Sequence, residues 1–279
     1  MGQIVEAVGK GYYFHYAITP KEKNQDFTLH AHSTYEIYYL INGRVEYIIE
    51  GDHYTLVPGS LLVISPGVIH GYKSDASRPY ERCAFHFSGE LFPEEKAKWL
   101  SLFSCKGKGR HYYGTSTEGI FPLLETLICG ASLEEPLRQN YVENMLQALV
   151  IRLYSQYLRL SKGEFPLSER SREADIINYL NNNFTSNITL DTLVDRFFIN
   201  KSTMNRLFKK ATGTTVMEYI IRKRIVYAQQ LMQKGLSANE AALSAGFGDY
   251  SCFYRAYIRI NGHSPINDKS EVFVSVNKS

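Results

Sequence analysis

Four residues in the first quarter of the chain carry side chains that can bind a small polar molecule or a metal ion. His30, His32 and Glu36 lie within seven residues, and His70 closely follows the turn sequence Pro66-Gly67. Alternate side chains of a strand share one face, so His30 and His32 would point the same way. Three imidazoles and a carboxylate suit a divalent transition metal, and the same groups can hydrogen-bond a polar ligand. Both occupants remain open at this point.

The surrounding runs are rich in tyrosine, whose ring can stack on a sugar while neighbouring polar groups bond its hydroxyls. Tyr38 would share the facing of Glu36, and Tyr72 that of His70. His86 is a further candidate, because its strand could turn either face inward. The predicted effector-binding residues are His30, His32, Glu36, Tyr38, His70, Tyr72 and His86.

Short β-rich runs must position these residues. Between 12 and 88 such runs alternate with turn signals such as Asn42-Gly43 and Pro58-Gly59, which is typical of an antiparallel barrel or sandwich. One run, 27–32, includes His30 and His32. From about residue 92 the pattern becomes helical, and we predict helices over 117–130 and 136–160, the latter able to pack on the barrel, on a second subunit, or on both.

A second constellation follows at residues 190–213, the first unit. A helix over 190–197, a three-residue turn and a helix over 201–212 capped by Asn200 form a helix-turn-helix pattern. Apolar residues at helical spacing leave the other face to Lys201, Ser202, Asn205, Arg206 and Lys209. Arg can bind guanine and Asn adenine, while Lys and Ser serve phosphates or bases, so this face suits DNA recognition.

The pattern recurs at residues 238–265, the second unit, with helices predicted over 238–245 and 250–261 and Asp249 as cap. Its outward face carries Tyr250, Ser251, Tyr254, Arg255 and Arg259. A long helix over 216–234 joins the units, and another helix over 173–184 precedes them. Two such units could reach successive major-groove segments about 34 Å apart.

Charge supports this interpretation. Residues 1–163 carry a net charge of −1 and residues 164–279 of +4, and the stretch 200–260 alone reaches +7. A localised basic surface favours an anionic polymer, because each neutralised phosphate releases counterions.

Length and composition exclude other classes. With 279 residues, 44% apolar and 21% charged, the chain is unlike disordered, collagen-like or membrane-spanning proteins and is long enough for about two domains. The amino-terminal residues lack a signal-peptide pattern. No CxxC pair or zinc-type cluster occurs among Cys83, Cys105, Cys129 and Cys252, and the chain is too long and too poor in cysteine for a disulfide scaffold. We therefore expect a cytoplasmic protein in a reducing environment.

Residues 172–265 resemble the DNA-binding domain of the AraC/XylS family of bacterial transcription regulators. The motifs are L-x-x-L-V-D-R-F, N-x-S-x-M-N-R-L-F-K-K-A-T-G, A-A-L-S-A-G-F-G-D-Y-S-x-F-Y-R and G-H-S-P. The resemblance implies binding of promoter double-stranded DNA and contact with RNA polymerase. It assigns base contacts to Ser202, Asn205, Arg206, Tyr250, Ser251 and Arg255. The chain departs from the family pattern at Phe198, Tyr257 and Ile258, the last of which weakens one expected phosphate contact.

The spacing H-x-H-x3-E-x6-G, followed by P-G-x-x-H, resembles the two motifs of cupin barrels. Regulators of the resembled family commonly carry this barrel as an effector sensor without metal. We therefore predict a non-enzymatic regulator, an activator in the family's manner, that responds to a small polar effector such as a carbohydrate and holds no cofactor or metal. The alternatives are a metal-dependent cupin enzyme tethered to DNA and a constitutive regulator whose barrel only dimerises.

The predicted fold class is α+β: an antiparallel, cupin-like barrel with flanking helices, then an all-α domain of two helix-turn-helix units. The predicted domains are an effector-sensing and dimerisation domain over 1–163, a linker over 164–171 and a DNA-binding domain over 172–270. We expect a homodimer, with the helix over 136–160 as the candidate contact, and no membrane partner.

Overall fold

A computed structural model describes residues 4–20, 29–75, 79–104, 110–112, 119–160 and 172–265. Residues up to 160 form a β-rich region with two helices, called here the barrel half. Residues 172–265 are helical and are called the helical half. The predicted linker 164–171 lies outside the described residues, as does the tail beyond 265.

The barrel half contains two antiparallel sheets. Six strands pair in the order β1-β2-β8-β3-β6-β9 and three in the order β5-β4-β7. Their bounds are β1 Ile4–Gly9, β2 Tyr12–Thr19, β3 Tyr35–Asn42, β4 Val45–Ile49, β5 Asp52–Leu56, β6 Leu61–Ile64, β7 His70–Ser74, β8 Tyr80–Phe87 and β9 Arg110–Tyr112. The predicted turn at Asn42-Gly43 joins β3 to β4.

The strand predicted over 27–32 is not present in the part of that run that the structure describes. Of the run 27–32, residues 29–32 form no regular strand, and only His30 makes an isolated bridge with His70. His30 N donates to His70 O at 2.8 Å, and His70 N donates to His30 O at 3.0 Å. Backbone pairing between two segments of the same chain thus brings His30 and His70 together, rather than strand alternation.

Two cores stabilise the barrel half. Between the sheets, apolar and tyrosine side chains such as Tyr38, Tyr47 and Leu62 pack together. On the other face of the larger sheet lie helices α1 Phe121–Gly130 and α2 Leu137–Leu160. Leu146, Leu149 and Leu153 of α2 are fully buried there, so the apolar face of this helix serves packing within the chain.

The helical half matches the predicted helices closely. It contains α3 Arg172–Asn183, α4 Leu190–Phe197, α5 Lys201–Thr212, α6 Val216–Gln233, α7 Ala238–Ser244 and α8 Tyr250–Asn261. The first unit packs with α3 and the start of α6, and the second unit packs with the rest of α6. Within the described residues, no helix is both long and apolar enough to cross a membrane.

Candidate functional site

Helix α5 presents the predicted face of the first unit. Asn200 accepts a hydrogen bond from Thr203 N at 2.8 Å and so caps the helix, as predicted. Met204 and Phe208 are fully buried, which orients the opposite face outward. Of the five residues predicted for this face, Asn205 is half-buried. The other four are exposed: Lys201, Ser202, Arg206 and Lys209.

Helix α8 presents the corresponding face of the second unit. Asp249 accepts a hydrogen bond from Cys252 N at 2.7 Å, and this bond lowers the pKa of the Asp249 carboxyl. Phe253 and Tyr257 are buried. Tyr250 is half-buried against Tyr254, and the exposed predicted residues are Ser251, Tyr254, Arg255 and Arg259.

The two helices place the same side chains at the same positions. A serine is the second residue of each helix and an arginine the sixth: Ser202 and Arg206 in α5, Ser251 and Arg255 in α8. Residues near a recognition helix's amino end are those that reach base edges. The matched positions mean that both units can offer the same hydroxyl and guanidinium groups to DNA.

Two predicted DNA-binding residues pair with carboxylates, and a third, Arg255, donates from Nη2 to Cys252 Sγ at 3.4 Å. Lys201 Nζ lies 2.6 Å from Asp191 Oδ1, and Arg259 Nη2 lies 2.9 Å from Glu218 Oε2. Glu218 also pairs with Arg222 at 3.3 Å. Exposed pairs of this kind contribute little to stability and can exchange partners. Lys201 and Arg259 must therefore leave these carboxylates, or share them, in order to contact phosphate.

In the barrel half, His30, His32, Glu36 and His70 converge as predicted and are called here the imidazole cluster. One possible ligand atom from each lies within 4.8 Å of all the others. Glu36 and His70 are buried, as is His32, while His30 is half-buried. This set could hold a metal ion or surround a polar group of a ligand.

The orientation of two rings is fixed by the backbone. His32 Nδ1 lies 2.9 Å from Thr34 O, and His70 Nδ1 lies 2.9 Å from Val68 O. A carbonyl oxygen can only accept, so each Nδ1 carries a proton. The Nε2 atoms of both rings face Glu36 Oε2, at 2.9 Å for His32 and 3.0 Å for His70. Among the described residues, His70 Nε2 has no hydrogen-bond partner of good geometry, so its contact with Glu36 is electrostatic.

The cluster keeps its carboxylate ionised. Burial alone would raise the pKa of Glu36, but the electrostatic effect of the adjacent His70 and the hydrogen bond with His32 hold that pKa well below its usual range. Burial lowers the pKa of His86 to about 3, so its ring is neutral near pH 7. The His86 ring lies 4.8 Å from that of His32, centroid to centroid, which places it beside the cluster.

The two tyrosines predicted to line the pocket belong to a packed aromatic group. Tyr38 is 3% exposed, and its hydroxyl lies 2.7 Å from that of Tyr80. Tyr72 lies 6.1 Å from Tyr47, whose ring also stacks on His70 at 6.1 Å. Both tyrosines therefore belong to an aromatic group that reaches the cluster through Tyr47.

Sequence reasoning missed a buried charge pair between the halves. Glu50 and Lys223 are only 1% and 9% exposed, and they form an ion pair. They are 173 residues apart in sequence. The only local signal is a charge next to apolar residues, Ile48-Ile49-Glu50 in one segment and Ile220-Ile221 shortly before Lys223 in the other.

Two domain families match the sequence, one in each half. The family described as AraC-like ligand binding domain matches residues 15–165, more than half of the chain, and the family described as helix-turn-helix domain matches residues 193–269. The chain belongs to the AraC family. This AraC-family protein is a DNA-binding transcription regulator with an amino-terminal ligand-binding domain, so its partners include promoter DNA and a small-molecule effector.

Relatives of this AraC-family chain align with nearly all of it. The Msm operon regulatory protein of Streptococcus mutans is 22% identical over 264 residues, covering 92% of both proteins. The HTH-type transcriptional activator RhaS of Yersinia pestis is 24% identical over 279 residues, covering 92% of this chain and 94% of RhaS. A solved structure of ToxT from Vibrio cholerae is 14% identical, covers 92% of this chain and 94% of its own, and has a TM-score of 0.43. Both named relatives are regulators, as predicted for this chain.

Proposed function

We propose that α5 and α8 read promoter DNA in two successive major-groove segments and that the barrel half controls this binding in response to a small polar effector. Base contacts fall to Ser202, Asn205 and Arg206 in the first unit and to Tyr250, Ser251 and Arg255 in the second. The sugar-phosphate backbone of the DNA is contacted by Lys201, Lys209, Tyr254 and Arg259. The observation that supports this most is the pair of exposed arginines at the sixth position of two capped helices.

Selection of duplexes from a random library by the full chain tests the DNA-binding proposal. We expect enrichment of two short motifs whose centres lie about one helical turn, or roughly 10 base pairs, apart. Raising the salt concentration should weaken binding, since phosphate contacts release counterions. Recovery of random sequence at moderate ionic strength would contradict the proposal.

We further propose that the chain activates transcription by contacting RNA polymerase and acts as a homodimer in the cytoplasm, where a bacterial chromosome lies. Helix α2 supports the dimer: beyond its buried face it exposes Ile151 and Leu158, each 44% exposed. Sedimentation of the full chain measures the oligomeric state. A monomer at micromolar concentration would remove α2 from this role.

The effector site that we propose is centred on the imidazole cluster, with Tyr38, Tyr72 and His86 around it, and a carbohydrate is the expected class. Buried imidazoles and a carboxylate can hydrogen-bond several hydroxyls at once. A thermal-shift panel of sugars on the full chain should raise the melting temperature for the matching compound. Glu36→Gln should abolish that shift, whereas Glu46→Gln, an exposed carboxyl on β4, should retain it.

A second candidate occupant is a divalent transition-metal ion, favoured by the ring orientations. With Nδ1 of His32 and His70 directed at backbone carbonyls, the Nε2 atoms of both rings point at Glu36, and a metal ion bound there would take the place of a proton on Nε2. Elemental analysis of the purified full chain separates the candidates. One equivalent of metal per chain, lost in Glu36→Gln, supports the metal; substoichiometric metal supports the polar effector alone and disfavours a cupin enzyme.

A further inference from the structure

The two halves meet around a buried carboxylate. Glu50 follows β4 in a left-handed backbone conformation, with φ of 46°, and Gly51 follows with φ of 88°. This tight corner projects the Glu50 side chain toward α6, where Lys223 lies at the middle of the helix. A buried carboxylate is unfavourable without a countercharge and hydrogen bonds. The burial of Glu50 therefore depends on the part of the chain that supplies these partners.

Among the described residues, the hydrogen-bond partners of the Glu50 carboxylate belong to the helical half. Lys223 Nζ donates to Glu50 Oε1 and, at 3.0 Å, to Gly67 O. Asn181 Nδ2 donates to Glu50 Oε2 at 2.8 Å, and Tyr219 OH donates to Asn181 Oδ1 at 2.9 Å. These groups are called here the interface network. The carboxylate of the barrel half is thus neutralised and hydrogen-bonded by helices α3 and α6.

Apolar and backbone contacts surround the interface network. Ile69 of the barrel half packs into the core that contains Ile176, Ile177 and Leu180. Arg222 Nη1 donates to Leu29 O at 3.1 Å, at the edge of the same surface. The docking surface therefore combines an apolar core with polar contacts at its rim.

The segments that form this surface also carry the imidazole cluster. Leu29 precedes His30, and Ser33, which accepts a hydrogen bond from Gln233 Nε2 at 2.9 Å, follows His32. Ile69 precedes His70, and Gly67, whose carbonyl accepts from Lys223, donates its N–H to His32 O at 2.9 Å. A ligand that shifts His32 or His70 must shift the surface on which α6 rests.

Docking places Asp52 of the barrel half beside the recognition helix of the first unit, where Glu173 of α3 also lies. Asp52 of the barrel half and Glu173 line a cleft together with Lys210 and Ala211, the last turn of α5. His53 Nε2 lies 3.1 Å from Ala211 O in the same cleft. The predicted base-reading face of α5 remains exposed, so docking does not cover it. Carboxylates near Lys210 nevertheless repel an approaching phosphate backbone.

We propose that the Glu50–Lys223 ion pair is an autoinhibitory latch that holds the first unit against the barrel half, and that effector binding at the imidazole cluster opens it. The proposal rests on the proposed function, since it gives the regulation of that same effector site. In the latched state the acidic cleft lowers the affinity for DNA. When the latch opens, α5 moves away from Asp52 and both units can adjust to the duplex.

Glu50→Gln tests the latch in the full chain. The substitution preserves shape but leaves Lys223 without its countercharge, a loss that the chain can relieve by undocking and exposing Lys223 to water. Glu46→Gln is the matched control, because this carboxyl is exposed and its partners, Thr55 at 3.1 Å and Arg44 at 3.9 Å, both belong to the barrel half. Two readouts are measured: the acylation rate of Lys223 by an amine-reactive reagent, followed by peptide mass spectrometry, and the affinity for a fixed duplex selected by the wild-type chain.

For Glu50→Gln we expect Lys223 to be acylated at least about five-fold faster and the duplex to bind at least about five-fold more tightly, with no change in Glu46→Gln. Faster acylation with unchanged or weaker DNA binding would show that the ion pair holds the two halves together without inhibiting DNA binding. That result would overturn the proposal. Unchanged acylation would show that the pair does not hold the halves together, which also overturns it.

A second variant tests the inhibitory cleft independently, in case Glu50→Gln does not fold. Asp52→Asn leaves the ion pair intact and removes one carboxylate from the cleft beside Lys210, so we expect about two-fold tighter DNA binding. If it binds as the wild type does, the inhibitory role of the cleft is wrong. Failure of the wild-type chain itself to select any duplex would refute the proposed function, a result distinct from failure of the latch.

Discussion

The two helix-turn-helix units share their exposed chemistry but differ in their surroundings. Both place serine second and arginine sixth in a capped helix. The first unit contacts the barrel half, through Ala211 O and through Leu29 beside Gly213. The described core of the second unit is drawn from residues 221–260 of the helical half. The barrel half can therefore act directly on the first unit, whereas it reaches the second unit through α6.

The units also differ at their turns. In the first unit the residue that ends α4 is Phe198, with φ of 53° and 91% of its surface exposed. In the second unit the corresponding left-handed residue is Gly246, with φ of 91°. Glycine adopts this conformation freely, whereas phenylalanine does so at a cost. Three experiments test whether these differences are structural or functional.

The largest effect is expected for Gly246→Ala in the second unit. An added Cβ would collide with the backbone of Thr185 as well as disfavour the positive φ. We expect the free energy of unfolding to fall by on the order of 3 kcal/mol, measured by urea denaturation. The control is Gly235→Ala, where the Cβ would meet nothing within 4 Å although φ is also positive, at 98°. Equal losses in both would mean that backbone strain alone explains the effect.

An intermediate effect is expected for the paired arginines. Arg206→Ala and Arg255→Ala should each cost about 2 kcal/mol of specific DNA binding and relax base preference in one half-site, as shown by mobility shift with the selected duplex. If the latch acts on the first unit, the gain from Glu50→Gln should shrink in the Arg206→Ala background and persist with Arg255→Ala. Equal gains in both backgrounds would erase the distinction between the units.

The smallest effect is expected for Phe198→Gly in the first unit. Relief of the left-handed conformation is offset partly by the greater chain entropy of glycine, so stability should rise by about 0.5 to 1 kcal/mol. DNA binding should not change if the ring only points into solvent. Weaker binding at unchanged selectivity would assign Phe198 to a contact with DNA.

Local signals sufficed for the helical half because capping and periodicity act within a few residues. The bounds of α4, α5 and α8 agree with those predicted, and their caps at Asn200 and Asp249 were visible as N-cap residue types. Phe198 was recognised as unusual in its turn, although neither its exposure nor its positive φ could be read from the sequence.

Long-range features were predicted less well. The imidazole cluster was identified from spacing, but strand alternation was the wrong reason, since His30 and His70 meet by bridging. Tyr38 was placed at the pocket by its facing, and the bond of its hydroxyl with Tyr80 on the neighbouring strand β8 could not be read from that facing. Glu50 and Lys223 were missed because a partner 173 residues away leaves no periodic pattern.

Helix α6 carries Glu218 and Lys223 within a turn and a half of each other. Lys223 anchors it to the barrel half, and Glu218 holds Arg259 of α8. A straight helix transmits a tilt along its whole length, so a small rocking of α6 at one anchor would re-aim α8 as well. The spacing between the two DNA-reading surfaces, and hence the operator length that the protein accepts, would then depend on the tilt of this one helix.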